Sequence, residues 1–246
     1  LYGNMDLKGN WVIPPTYVWA ESFENGLALV RDRKGGTYFI DRNGVPMTEE
    51  ISCNHFYGHG DYWYFLDSKS RPLAVYDRMG QPVKDFPTVG VGQMSLLEDD
   101  WVSATTAEAL IVVRGPEIHR FSADLGKVGG ICDEGVLLGK QNLRGGITGA
   151  TFVNWEGEVL SRWPDGDDVY LKTDDLTGKS YVTVEFYEEN RNECYDLGGA
   201  FVAAGEGSSY PHFCGGLLYR TEKGFTTLTD PAGETVFCWP IRESYD

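Results

Sequence analysis

Short apolar runs alternate with glycine-containing turns along the whole chain. Leu27–Val30 is followed by the turn Asp32–Gly35, and Thr37–Ile40 by the turn Asp41–Gly44. Apolar runs of four to eight residues bounded by Gly, Asp and Asn are typical of β-strands. A short helix would suit only the pattern of Asp99–Ala109. The chain is therefore predicted to be all-β.

One turn signature recurs at the ends of these runs: Asp or Asn, two variable residues and Gly. The first side chain can accept a hydrogen bond from the backbone two residues on, and the glycine supplies a positive φ. Together they predict a type I turn with a G1 bulge at a hairpin tip. Full copies end at Gly9, Gly44, Gly80, Gly157 and Gly233, and degenerate copies with Asp one position late end at Gly126 and Gly198.

The signature divides the chain into repeats. The seven glycines from Gly9 to Gly233 are separated by about 37 residues on average, a period typical of repeat arrays and propellers. A second set of turns lies between them: Asp32–Gly35, Asp67–Ser70, Asp175–Gly178 and Thr221–Gly224. The predicted unit is a three-stranded meander, with Leu27–Val30, Thr37–Ile40 and Val45–Met47 as one example. An aromatic-rich connection leads to the next unit.

The segment from Gly9 to Gly44 combines an apolar-Ile-Pro-Pro run, single aromatic positions, an Asn-Gly turn before a strand and a closing turn signature. These features are Val12–Pro15, Tyr17, Phe23, Asn25–Val30, Tyr38–Asp41 and Asn43–Gly44. In them the segment resembles the bacterial WG-repeat (Trp-Gly repeat) family. The resemblance implies tandem β-meander units, a bacterial origin and a role as an interaction module.

Each unit is too small to bury its own apolar face, so neighbouring units must stack. We predict tandem three- to four-stranded meanders in a propeller-like array of six or seven short blades, forming a single repeat domain over residues 1–246. A closed ring would hide both terminal sheet edges. The alternative is an open, curved stack. The first residue is Leu1 rather than methionine, as expected for a fragment of a longer protein that has lost a signal or anchor.

The charge balance limits the classes of partner. The chain has 21 Lys and Arg against 37 Asp and Glu, a net charge of −16. This field repels nucleic-acid phosphates and anionic membrane surfaces. An apolar run of about 18 residues, as a membrane-spanning helix requires, is absent from the sequence. We therefore predict no nucleic-acid partner and no membrane-spanning segment.

Cysteine and histidine residues give no recognisable metal motif. An odd number of cysteines leaves at least one unpaired; buried reduced thiols are expected, with one or two disulfides as the alternative. The five are Cys53, Cys132, Cys194, Cys214 and Cys238. The zinc-ligand types Cys53, His55, His59, His212 and Cys214 match no zinc spacing. We predict no metal or cofactor site.

Acidic residues crowd one stretch of the second half of the chain: Asp165, Asp167, Asp168, Asp174 and Asp175. The spacing of a Ca²⁺-binding EF-hand loop is absent. Because Asp-Gly is common turn chemistry, these residues are expected in solvated turns.

Aromatic residues fall into two groups. A first group keeps the strand register and is expected in the core: Trp11, Phe39, Trp63, Tyr76, Trp101 and Phe152. The connections Tyr17–Phe23, Phe56–Tyr64 and Tyr210–Phe213 break the register. We expect a binding surface there, since loops on a rigid scaffold carry function.

A catalytic constellation is not recognisable, and we predict no catalytic residue. The sequence favours a non-catalytic interaction scaffold that binds a protein partner. The alternatives are a carbohydrate-binding or glycan-processing propeller, suggested by the aromatic connections and plentiful acids, and a ligand or metal sensor. A bacterial envelope or secreted location is expected.

Overall fold

The computed structural model describes residues 1–206, 212–222, 225–230 and 234–240. The chain divides into two compact units, Leu1–Ala123 and Asp124–Asp246. Each unit is described by itself below. The single repeat domain stays a prediction.

The first unit is built of four antiparallel sheets that follow one another along the chain. They are β1–β2, β3–β4–β5, β6–β7–β8 and β9–β10–β11–β12. The strands are β1 Tyr2–Met5, β2 Trp11–Tyr17, β3 Trp19–Ala20, β4 Leu27–Arg31, β5 Thr37–Asp41, β6 His55–His59, β7 Tyr62–Leu66, β8 Pro72–Asp77, β9 Met94–Leu96, β10 Val102–Thr105, β11 Ala109–Arg114 and β12 Glu117–Ser122.

The second unit opens with a turn of 3-10 helix at Ala123–Leu125, which straddles the boundary, and continues in strands. They are β13 Lys127–Cys132, β14 Gly135–Gln141, β15 Ile147–Asn154, β16 Val159–Trp163, β17 Asp168–Thr173, β18 Ser180–Phe186, β19 Arg191–Asp196, β20 Phe201–Glu206, β21 His212–Cys214, β22 Leu217–Glu222, β23 Phe225–Thr229 and β24 Thr235–Pro240. Strands β13 to β20 share one eight-stranded sheet, and β21 to β24 form a four-stranded one.

The eight-stranded sheet shows how separate meanders merge. Strand β15 is long enough to pair with β16 over residues 150–153 and, beyond the end of β16, with β17 through Ile147 and Val169. Elsewhere the meanders stay separate. The predicted all-β class, built of tandem three- to four-stranded antiparallel meanders, is confirmed.

The turn signature adopts the predicted hairpin geometry. At Asp32 the backbone N–H donates to the carbonyl of Gly36, 2.9 Å away, and Oδ1 accepts the N–H groups of Lys34 and Gly36 at 2.8 and 3.0 Å. Gly35 has a φ of 92°. The same backbone bond to the carbonyl four residues on closes the turns at Asp6, Asp41, Asp67, Asp77, Asn142, Asn154, Asp196 and Asp230.

Several turns differ from their predicted positions. The glycine of the Asp196 turn is Gly199, with a φ of 85°, so this copy has normal spacing and does not end at Gly198. Gly126 follows the 3-10 helix instead of ending a hairpin signature. The turn assigned to Asp175 begins at Asp174, whose carbonyl accepts the N–H of Gly178.

The turn at Asn142, closed by Gly145, was not predicted. The copy at Gly233 and the turn Thr221–Gly224 lie partly outside the described residues.

The third strand of the first meander pairs with β4, whereas the prediction placed it beside β5. Val45–Met47 is not a strand, and Pro46 forms only an isolated bridge with Ile40. Proline lacks the N–H needed to continue a ladder, which explains the interruption. The third strand is β3, inside the predicted connection Tyr17–Phe23. The helix considered for Asp99–Ala109 is also wrong, because β10 occupies this segment.

Hairpin tips pack against the preceding repeat in the first unit. A β-carbon added to Gly44 would lie 3.4 Å from Ile13 Cγ1, and one added to Gly80 would lie 3.3 Å from Leu27 Cδ1. Both glycines have a positive φ, of 82° and 72°. The signature glycine therefore closes its own turn and lets the tip approach its neighbour.

Most of the aromatic residues expected in the core are buried. The exposed fractions are 2% for Phe39, 8% for Trp63, 3% for Trp101 and 0% for Phe152. Trp11 contradicts the prediction, since it is 53% exposed on the two-stranded sheet of β1 and β2. A two-stranded sheet offers little apolar surface against which its side chains can pack.

Candidate functional site

The connection Tyr17–Phe23 is held firmly against the first meander. The N–H of Val18 donates to the carbonyl of Arg31, and the N–H of Glu21 to that of Leu29, each at 2.9 Å. The side chains of Glu21 and Ser22 remain exposed. The connection therefore presents a polar ridge on a fixed backbone.

A cavity lies on either side of this ridge. The first, named the Trp63 cavity, has a volume of about 300 Å³ and is lined by Glu21, Ser22, Glu24, Leu27, Leu29, Phe39, Gly58, Trp63 and Arg78. The second, named the Ile13 cavity, has about 290 Å³ and is lined by Gly3, Asn4, Ile13, Tyr17, Ala20, Glu21, Ser22, Phe23, Ala28, Val30 and Ile40. Glu21 and Ser22 border both.

Two of the three predicted binding connections meet in the Trp63 cavity. Tyr17–Phe23 contributes Glu21 and Ser22, and Phe56–Tyr64 contributes Gly58 and Trp63. The second segment is a hairpin of β6 and β7 rather than a loop. The third connection lies largely outside the described residues, but Phe213 stacks on Tyr181 with 3.6 Å between ring centroids.

Arg78 lies at the centre of the Trp63 cavity. Its guanidinium is 4.7 Å from the centroid of the Trp63 ring and donates to the carbonyl of Gly60 through Nε at 3.0 Å and Nη2 at 2.6 Å. Nη1 lies 3.7 Å from Glu24 Oε2. Because that carboxylate is exposed, the ion pair is weak and open to competition.

The apolar residues that line the cavity contribute little exposed surface. Leu29 and Phe39 are almost fully buried, and Trp63 is packed edge-on against Trp19 with 6.5 Å between centroids. Since Arg78 covers the Trp63 ring, which is only 8% exposed, this indole offers no free face on which a sugar could stack. With Glu21 and Glu24 at its rim, the cavity suits a side chain that is cationic at its end, and the half-buried Leu27 can contact the aliphatic stem of such a side chain.

The residues of zinc-ligand type are held by other contacts. Cys53 Sγ accepts a hydrogen bond from Arg31 Nη2 at 3.3 Å, His55 is exposed, and His59 Nε2 lies 3.1 Å from the carbonyl oxygen of Trp101. The side chains of His212 and Cys214 lie outside the described residues. Within the described part of the chain, no three His, Cys, Asp or Glu residues are grouped to hold a metal ion.

The described cysteines carry free thiols but are not uniformly buried. Cys194 is buried, Cys53 and Cys132 are half-buried, and Cys238 is exposed. Burial raises the pKa of the Cys194 thiol to about 12. The expectation of buried thiols is thus correct for Cys194 and wrong for Cys238.

The acidic stretch is not simply a solvated turn. Asp165, Asp167 and Asp175 are exposed, but Asp168 and Asp174 are only 4% and 2% exposed. Asp168 Oδ1 accepts the N–H groups of Ile147 and Val169, each at 3.0 Å. These two carboxylates are structural acceptors, and the solvated-turn interpretation is wrong for them.

Sequence reasoning missed Arg78, Phe39 and Leu27 as site residues. Arg78 occupies a variable position of the Asp77–Gly80 turn, and Arg33 and Arg42 occupy the same position in other turns. A local signal therefore could not distinguish Arg78, because its role depends on the preceding repeat across the cavity.

The fold and site are those of a tandem β-meander repeat protein with a cavity between successive repeats. Within this class, the family model described as "WG containing repeat" matches residues 2–38. The predicted resemblance is thereby confirmed for this segment. A comparison with curated proteins finds no match to the chain.

Solved structures give distant similarities. KlHsv2 with loop 6CD replaced by a Gly-Ser linker is 11% identical, with 93% of this chain and 82% of that chain covered and a TM-score of 0.41. BamB from Moraxella catarrhalis is 12% identical, with coverages of 89% and 71% and a TM-score of 0.34. Virginiamycin B lyase from Staphylococcus aureus is 10% identical, with coverages of 92% and 84% and a TM-score of 0.35. Similarities this distant assign no function.

No helix formed by the described residues has the length and apolar character needed to cross a membrane.

Proposed function

We propose that this chain is a non-catalytic interaction module that binds a protein partner at the Trp63 cavity. The observation that carries the proposal is the meeting of the connection Tyr17–Phe23 and the β6–β7 hairpin around one cavity with an acidic rim. The partner segment would place a lysine or arginine in this cavity, its stem against Leu27 and its charge beside Glu21.

Electrostatics supports a cationic partner. With a net charge of −16 the chain attracts basic segments over a distance of about one Debye length, roughly 8–10 Å at physiological salt. At the cavity the incoming charge would compete with Arg78 for Glu24, whose ion pair of 3.7 Å is long. Contact of the aliphatic stem with Leu27 would add an apolar contribution that does not depend on salt.

The test is a quantitative pull-down with three forms of the full chain: wild type, Glu21→Arg and Glu49→Arg. Both variants make the same change of charge on exposed residues, but only Glu21 lines the cavity. A protein retained at high salt by wild type and Glu49→Arg, and lost by Glu21→Arg, supports the proposal and identifies the partner. Thermal melts of all three forms verify folding.

Two results would contradict the proposal. Equal recovery by all three forms would place the binding surface elsewhere, and no enrichment by a folded wild type would argue against a protein partner. A broad glycan panel then tests the carbohydrate alternative. A saturable response to one glycan would favour carbohydrate binding over the proposed function.

A further inference from the structure

A polar cavity lies in the second unit, on the face of the sheet formed by β14, β15 and β16. A cavity of about 310 Å³ is lined there by Lys140, Thr148, Gly149, Ala150, Thr151, Arg162 and Pro164. No carboxylate lines it, although the chain has 37 acidic residues against 21 basic ones. Two cations share this small cavity.

A β-bulge brings the polar side chains together. Thr148 pairs with Lys140 and Thr151 pairs with Leu138, with a register shift between these two pairs. In a regular strand, residues three apart point to opposite faces. Because Lys140 and Leu138 are two apart and paired residues share a face, the bulge places Thr148 and Thr151 on one face.

The next strand adds the second cation to the same face. Arg162 pairs with Thr151, and its Nη1 lies 3.5 Å from Thr151 Oγ1. Gly149, within the bulge, has a φ of 59° and open space where a side chain would stand. The bulge thus both aligns the polar groups and keeps the cavity open.

Available donors face the cavity. Neither Lys140 nor Arg162 forms an ion pair with any residue in the described part of the chain. Thr151 is only 5% exposed and accepts from Arg162, so its own hydroxyl hydrogen can be donated to a ligand. Thr148 instead donates to the carbonyl of Gly166. Arginine binds oxyanions through two parallel N–H bonds, and lysine adds a point charge.

We propose that this cavity binds a small oxyanion with two negative charges, either a phosphate or a dicarboxylate. This site is separate from the Trp63 cavity and goes beyond the proposed function. The volume limits the ligand to a small molecule or a single terminal group. The guanidinium of Arg162 would hold the oxyanion, with Lys140 and Thr151 completing its contacts.

The test is calorimetric titration of the full chain with inorganic phosphate and, separately, with succinate, at ionic strength held constant with sodium chloride. Wild type should bind at least one probe saturably. Arg162→Gln and Lys140→Gln should each weaken binding about 10-fold or more. The control Lys172→Gln, which removes an exposed charge on β17 outside the cavity, should bind as wild type does.

The two probes distinguish the source of the oxyanion. Binding of phosphate alone identifies a phosphoryl ligand, binding of succinate alone identifies a dicarboxylate, and either supports the site. No saturation by either probe below about 10 mM would overturn the proposal. So would an equal loss in Lys172→Gln, since it would indicate general charge attraction.

Discussion

Asp174 Oδ2 accepts the backbone N–H of Gly216 at 2.7 Å, a hydrogen bond that spans 42 residues of sequence. Oδ1 accepts the N–H of Gly215 at 3.1 Å and that of Leu176 at 3.0 Å. One buried carboxylate thus closes its own turn and joins it to the turn between β21 and β22.

Asp174→Asn should destabilise the second unit, because an amide presents one acceptor oxygen where the carboxylate presents two. Urea unfolding at pH 7 should give a lower midpoint for Asp174→Asn than for wild type. The neighbouring Asp175→Asn is the control, since Asp175 is exposed, and it should leave the midpoint unchanged. Equal effects of the two variants would show that the link to Gly216 contributes nothing to stability.

Low pH should remove the stability that the Asp174 carboxylate contributes to the second unit. Burial alone would raise the pKa of Asp174, but the hydrogen bonds from Gly216 and Thr177 outweigh it and lower the pKa below its usual value of 3.8. The stabilisation is therefore present above pH 3.8 and is lost as the pH falls through the lower folded-state pKa. Midpoints of wild type and Asp174→Asn should converge toward low pH.

Glycine at the end of the turn signature should matter most where the tip touches a neighbour. Gly80→Ala places a side chain at a φ of 72° and 3.3 Å from Leu27 Cδ1, so we expect a loss of about 1–2 kcal/mol for the left-handed backbone alone. Ser70 occupies the equivalent position in the Asp67 turn with a φ of 58°. Ser70→Gly should therefore change stability in the opposite direction, by about 0.5–1 kcal/mol.

Chemical unfolding of these two variants provides the comparison. A destabilised Ser70→Gly would mean that this turn holds its conformation by something other than tolerance of a positive φ. A neutral Gly80→Ala would show that the Asp77 turn can leave the left-handed conformation without cost.

The hairpin tips could be predicted from sequence because their chemistry is local. Asp32 closes its turn with groups no more than four residues away, so a window of five residues contains the whole interaction. Even the shifted copy at Asp196 obeys the rule once Gly199 is taken as its glycine. The strands follow from the turns, since each tip fixes the register of the two strands beside it.

The interactions that the sequence does not reveal join residues that are far apart in the chain. Asp174 is identical in type to Asp175, yet its partners lie 41 and 42 residues away. Arg78 belongs to the cavity because Trp63 and Glu24 reach it from two repeats. Trp11 is exposed although its strand position resembles that of buried tryptophans, because its two-stranded sheet provides no layer to cover it.

Alkaline pH should lower the stability of the first unit. Burial, followed by the nearby Tyr17, raises the pKa of Tyr38 from 10.0 to about 12. A raised folded-state pKa gives stability that is complete below pH 10 and lost as the pH rises toward 12. Unfolding midpoints measured at intervals between these values should fall, and Tyr38→Phe should fall less steeply. Parallel slopes for the two proteins would remove Tyr38 as a source of the alkaline transition.

The carboxylate of Glu185 is buried in the second unit with fewer hydrogen-bond donors than it can accept. Tyr170 Oη lies 3.0 Å from Asp168 Oδ2 and 3.0 Å from Glu185 Oε2, and these two acids are cross-strand partners. Tyr187 Oη also donates to Asp168 Oδ2, at 3.1 Å, which leaves the single phenolic hydrogen of Tyr170 for Glu185. Glu185 Oε1 is also buried without a hydrogen-bond partner.

An added donor should therefore strengthen this cluster. In Glu185→Gln the amide can donate to Tyr170 Oη, which is then free to donate to Asp168, so we expect stability equal to or above that of wild type. Tyr170→Phe should instead cost about 1–3 kcal/mol, because the buried carboxylate of Glu185 loses its donor while Asp168 keeps that of Tyr187. Tyr57→Phe, on an exposed ring, serves as the control for loss of a hydroxyl. Urea unfolding at pH 7 ranks the four proteins, and a Glu185→Gln variant as unstable as Tyr170→Phe would show that the cluster lacks no donor.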